Sequence, residues 1–200
     1  MKEHIKSNVA TLWTIQTREA FETLNKTGKL FYAEAAHKNS FISDGYYTFA
    51  YDWMKKKMIE HIGNPDMKIE YPMWAWYQWE GKRKRMDLRC GGYAPRGTKM
   101  VQIEFEMPYT KILLSDFDVW HYVLGRWYVF ESLEDLEKSQ MNDIDNNKET
   151  MERIEKSWDR IFDLEHCKTV IGENGPQSIQ ATFWKLEIEN VKKVEFFSAK

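Results

Sequence analysis

Apolar and polar positions alternate through VATLWTIQ, residues 9–16, and predict a short strand. Leu12, Thr14 and Gln16 share one face, and Trp13 and Ile15 the other. TREAFETLNKTG then takes helical spacing, with Phe21 and Leu24 on a buried stripe and Gly28 as its stop. A second helix is predicted from about Tyr46 to His61, turning Phe49, Trp53 and Met54 to a core and ending at Gly63, Asn64 and Pro65. YPMWAWYQW, residues 71–79, returns to strand alternation. Met73, Ala75, Tyr77 and Trp79 face one way, and Trp74, Trp76 and Gln78 the other. Both faces are largely apolar, which is the pattern of a central strand covered on both sides.

Glu80-Gly81 turns the chain, and CGGYAPRGT at 90–98 reads as a loop. KMVQIEFEM forms a third strand that stops at Pro108, followed by an extended KILL. Ser115 is placed to begin a helix that Gly125 ends, with Asp116 and Asp118 where the helix dipole favours anions. A helical region follows from about Leu133. Its clearest part is ETMERIEKSWDRIFD, where Met151, Ile154, Trp158, Ile161 and Phe162 recur at helical spacing. DIDNNKE at 143–149 is the nearest approach to a spacer, and GENGP at 172–176 is a loop. Two strands, SIQATFWKLEI and KKVEFF, close the chain. This order lacks regular strand–helix–strand alternation. It predicts one α+β domain over residues 1–200, with a mixed or antiparallel sheet, flanking helices and a helical insertion at about 131–166.

Composition sharpens only part of this picture. Nine tryptophans and eleven phenylalanines imply a core or cleft built from flat side chains. The net charge of −2 selects no partner, but residues 82–99 carry Lys82, Arg83, Lys84, Arg85, Arg89, Arg96 and Lys99 against Asp87 alone. Cys90 and Cys167 have no CxxC spacing, and the five histidines are scattered, so no metal is implied. The chain carries no apolar window of membrane-spanning length and no apolar leader block. A soluble protein of a reducing cytoplasm is expected, with no membrane partner.

Dinucleotide-fingerprint, phosphate-loop, HExxH and GxSxG motifs are all absent. Four features remain. Trp74 and Trp76 on one strand face form either an aromatic stacking surface or core packing. The cations from Lys82 to Arg89 form either a phosphate grip or a solvated hairpin. In SDFDVWHYVL, Asp116, Asp118 and His121 suit acid–base work, although helix capping explains both aspartates without any chemistry and is the favoured reading, and His121 is spaced to pair with Asp118 on the helix surface. In SIQATF, Gln180 and Thr182 alternate with apolar residues and need polar partners.

LWTIQ, YPMWAWYQW with KRKRMDLR, VQIEFEMP, LLSDFDVWHYVL, KSWDRIF and SIQATFWKLEIENVKKVEFF form an ordered series. Together they resemble an uncharacterised bacterial family, a domain of unknown function, from about residue 12 to 197. More distantly, the chain resembles the ADP-ribosyltransferase fold, as in DNA-targeting ADP-ribosyltransferase toxins. LWTIQTREAFETLNKTGKLF is similar to that fold's opening strand, helix and glycine. YPMWAWYQWEGKRKR is similar to its aromatic strand with following arginines, and QATFW to its catalytic strand.

The distant resemblance implies NAD as cofactor. Thr14 and Gln16 would then contact the nicotinamide-side ribose. Trp74, Trp76 and Tyr77 would wall the pocket, Arg85 or Arg89 would hold the pyrophosphate, and Gln180 would select the acceptor. The catalytic glutamate of that fold is replaced here by Thr182, so another acid such as Glu104, Glu106 or Asp116 would have to serve. Three readings stay open: an ADP-ribosyltransferase-like enzyme modifying a nucleic acid or protein, a non-catalytic nucleotide- or nucleic-acid-binding module, and a protein-interaction domain using the helical flank at residues 131–165, where acids outnumber bases.

Overall fold

A computed structural model describes residues 8–32, 45, 47–66, 68–89, 91–92, 94–135, 148–172 and 175–200. The first strand, β1 (Val9–Thr17), runs directly into α1 (Arg18–Thr27). Thr17 caps that helix by accepting from the Ala20 amide at 3.2 Å. Gly28 ends it in the left-handed region at φ 77°, its amide donating to the Leu24 carbonyl at 2.8 Å. β2 (Lys29–Phe31) follows. The second helix, α2 (Thr48–Ile62), buries Ala50, Trp53, Met54 and Met58. Tyr46, its expected start, lies outside the described residues.

β3 (Met73–Gln78) and β4 (Lys99–Pro108) match the expected strands closely. A single helical turn, Tyr109–Lys111, interrupts the expected extended piece before β5 (Leu113–Asp116). Asp116, and not Ser115, is the cap of α3 (Phe117–Leu124). Its carboxylate accepts from the Val119 amide at 2.9 Å, while Ser115 stays in the strand, fully buried. α4 (Lys148–Ser157) tightens into a 3-10 turn over Trp158–Phe162. Residues 136–147, including most of the expected spacer, lie outside the described residues, as do two residues of the GENGP loop.

SIQATFWKLEI is not one strand. It breaks at Trp184 into β6 (Ile179–Phe183) and β7 (Lys185–Glu187), before β8 (Val191–Ser198). β7 leaves the main sheet to pair with β2, setting Leu186 against Leu30 in a two-stranded sheet. The main sheet has the order β5-β6-β3-β1-β4-β8. The pairings β1–β3, β1–β4 and β4–β8 are antiparallel, and the protein is an α+β fold with a mostly antiparallel sheet.

The chain divides into two compact units. The first comprises residues 1–77, 84–113 and 181–200. Its centre is the β1–β4 ladder, paired without a break from Val9↔Pro108 to Thr17↔Met100. Leu12, Ile103 and Phe105 are fully buried, and Phe105 packs on Phe183 at a ring separation of 5.3 Å. α1 covers part of this unit through Leu24 and an edge contact of Phe21 with Phe196.

The second unit comprises residues 78–83 and 114–180. Val119, Val123, Val129 and Ile161 form its buried centre. The Ser157 hydroxyl ties α4 to the preceding segment by accepting from the Val129 amide at 2.9 Å and donating to the Ile154 carbonyl at 2.6 Å. Among the described residues no helix is long and apolar enough to cross a membrane.

Candidate functional site

The site is built on one face of the first unit's sheet. The register pairs Trp13 with Trp76 on β3 and with Glu104 on β4, so all three side chains project to the same side. The Trp13 indole N–H donates to the Glu104 carboxylate at 2.9 Å. Trp76 and Glu104 are half-buried, and Trp13 is buried. One row along, Ile15, Gln102 and Glu195 occupy successive strands on the same face. The register sets Trp74 beside Ile15, where its ring meets the edge of Tyr51 at 6.3 Å.

Arg85 closes this face from the segment after the second unit's hairpin. Its Nη1 donates both to the Gln102 side-chain oxygen at 3.1 Å and to the Glu195 carboxylate at 2.6 Å. One guanidinium nitrogen therefore anchors the group. Among the described residues, Nη2 and Nε of Arg85 have no hydrogen-bond partner, and the side chain is 45% exposed. Beneath it, the buried Gln102 amide nitrogen also has no hydrogen-bond partner among the described residues, a cost that an added acceptor would relieve. Arg89 is the opposite case. Its Nε and Nη2 both lie on Asp87, within 3.0 Å, and this pairing holds the Asp87 carboxyl far below its ordinary value.

The Thr14 hydroxyl donates to the Trp74 carbonyl at 3.0 Å and accepts from the Gln16 amide at 2.8 Å, so Thr14, Gln16 and Trp74 do come together. Thr14 is only 2% exposed, however, and its oxygen is committed to the sheet. The Tyr77 hydroxyl meets that of Tyr109 at 3.1 Å. Thr182 has no exposure. It donates to the Leu113 carbonyl at 3.1 Å and touches the Met54 sulfur, so its hydroxyl stitches β6 to β5 and has no open side for a reactant. Of the acids named as stand-ins, Glu106 is paired with Lys192 at 3.1 Å.

In the second unit, Asp116 is 3% exposed, and its second oxygen accepts from the Gln177 amide at 2.8 Å. Its role there is to cap α3 and hold the loop before β6. Burial, reinforced by Asp116, raises the Asp118 carboxyl above its ordinary value, with His121 opposing. His121 is exposed, and its Nδ1 donates to the Phe117 carbonyl at 3.0 Å, so it turns back along its own helix. Gln180 is half-buried, and its buried side-chain oxygen has no hydrogen-bond partner among the described residues. A cavity of about 50 Å³ beside Asp116, Cys167 and Gln177 has room for little more than ordered water. Cys167 is buried, and burial raises its thiol above the ordinary value.

Sequence reasoning passed over Gln177 and Ser178. The Gln177 carbonyl accepts from the Gly81 amide at 2.8 Å, and the Ser178 hydroxyl from the Glu80 amide at 3.1 Å. The available signal was the polar Pro-Gln-Ser run entering a buried strand. Among the described residues no group of three or more His, Cys, Asp or Glu side chains is placed to hold a metal.

No curated protein and no solved structure matches the chain. A family model described as a domain of unknown function (DUF3841) matches residues 11–192, which takes in the tryptophan face, Arg85 and the whole second unit. The chain therefore belongs to that family of unknown function.

Proposed function

We propose that the protein is a non-catalytic binding module for a nucleotide, held on the tryptophan face with its phosphates at Arg85. The observation that carries this reading is the half-committed guanidinium of Arg85. One nitrogen is fixed by Gln102 and Glu195, and the remaining donors are left for a ligand. A guanidinium whose orientation is already paid for loses little entropy on gripping phosphate. Neighbouring strands lie about 4.8 Å apart, so β3 and β4 are about 10 Å apart with β1 between them. That span matches a base over Trp76, a ribose beside Trp13 and Glu104, and a phosphate at Arg85.

Binding is favoured over ADP-ribosyl transfer by the state of Thr182. The position where the resemblance expects a carboxylate is sealed in the sheet. Glu104 is engaged by an indole N–H, an arrangement suited to a ribose hydroxyl or exocyclic amine as second partner. NAD remains a fitting ligand, as one nucleotide among others.

Calorimetry with ADP and with NAD tests the reading. Saturable heat with ADP, and no release of nicotinamide from NAD, is expected. Absence of heat at millimolar ADP overturns the site, and protein-dependent nicotinamide release overturns the non-catalytic assignment.

A further inference from the structure

A cavity lined by charges of both signs lies elsewhere in the first unit, where α2 ends. It has a volume of about 260 Å³ and is lined by the residues following α2, the turn after β4, and β7 with the residues around it. That is slightly below the roughly 300–1,000 Å³ of drug-sized sites and ample for a ligand of amino-acid size. Its construction follows from the break at Trp184. The indole N–H donates to the Gly63 carbonyl at 2.9 Å, which pins the end of α2 and leaves the ring on the cavity wall with Ile62 and Met107.

The charges in the cavity are divided. Lys185 is held between Asp66 at 2.6 Å and Glu187 at 3.2 Å, and its side chain is 18% exposed. Two carboxylates against one ammonium leave this wall with a net negative charge. Lys111, from the turn after β4, is exposed, and among the described residues it has no ion pair. Asn190 adds an amide that has no hydrogen bond among the described residues. The lining thus combines an acidic pair that attracts a cation, an ammonium with no ion pair among the described residues, and apolar side chains.

We infer that this cavity is a second ligand site, specific for a small aliphatic zwitterion of the α-amino-acid class. The ligand ammonium lies toward Asp66 and Glu187, the carboxylate toward Lys111, and the aliphatic side chain on Trp184. Neither charge of such a ligand goes unanswered, whereas a simple anion meets the acidic wall and a simple amine meets Lys111.

The probe is L-leucine, titrated by calorimetry into the full chain, with N-acetyl-L-leucine and L-leucinamide as comparison ligands. Saturable binding of L-leucine is expected. Each comparison ligand, lacking one charge, should bind at least about tenfold more weakly. Lys111→Ala, at an exposed position, should reduce L-leucine affinity to that of L-leucinamide while leaving L-leucinamide unaffected. The inference is overturned if L-leucine does not bind, if L-leucinamide binds as well as L-leucine, or if Lys111→Ala leaves the affinity unchanged. ADP titrates a different face of the unit, so this result and the nucleotide result are independent.

Discussion

Two charged regions of the first unit solve the same problem differently. On the tryptophan face, Arg85 gives one nitrogen to Gln102 and Glu195 and keeps the rest of its fork open. In the cavity after α2, Lys185 is consumed between two carboxylates, and the open cation is a separate residue, Lys111. Both regions pair an anchored cation with uncommitted donors. Counting cations would rank the Lys82–Arg89 run far above the cavity. Counting donors left over after internal pairing makes the two comparable, and Arg89 differs from Arg85 in that Asp87 already fills its bidentate Nε–Nη2 edge.

The contrast can be broken in order of expected effect. Trp76→Ala should weaken ADP binding most, by about tenfold to a hundredfold, since base–aromatic stacking is worth about 1–3 kcal/mol. It should leave L-leucine binding untouched, and a shared loss in both titrations would show the variant misfolding. Next, Arg85→Ala should weaken ADP binding about tenfold and flatten its dependence on salt, while Arg89→Ala stays within about twofold of the parent. Equal effects from the two arginines would remove the distinction between open and closed forks.

Thr182→Val is expected to act on stability alone. It leaves the Leu113 carbonyl without its donor and should cost about 1–3 kcal/mol, read from denaturant unfolding, with ADP affinity unchanged. A selective loss of affinity would return Thr182 to the site.

The smallest effect concerns pH. The hydrogen bond from Lys185 holds the Asp66 carboxyl below its ordinary value, and the same bond foremost raises the Lys185 amine. The Asp66 contribution is present above its unfolded pKa and is lost as pH falls through its lower folded value. The Lys185 contribution is full below its unfolded pKa and is lost as pH rises through its higher folded value. The difference in Tm between the parent and Lys185→Met should therefore be widest from about pH 5 to 10 and close at both ends. A difference independent of pH would mean that packing of the lysine stem, and not the ion pairs, is responsible.

Much of the scaffold was legible because its signals are local. Gly28 at a left-handed helix end, the alternation of β1, and the Met-Val-Gln-Ile-Glu-Phe-Glu-Met run of β4 all announce themselves within ten residues. The break at Trp184 was not legible. Alternation continues through it without glycine or proline, and only Leu30, far back in the chain, tells Leu186 to leave the sheet. Ser115 and Asp116 are both good caps, and which one leaves the strand depends on Gln177 across the fold. The same holds for the arginines. Arg89 finds Asp87 two residues away, whereas Arg85 finds Glu195 at a separation of 110 residues. Composition revealed which side chains exist, but their commitments are tertiary.

A thermodynamic cycle that compares adenosine with ADP in the parent protein and in Arg85→Ala isolates the phosphate grip of Arg85. ADP should bind about tenfold more tightly than adenosine to the parent, and this advantage should vanish in the variant with adenosine affinity unchanged. An advantage for ADP that persists without Arg85 would contradict that grip.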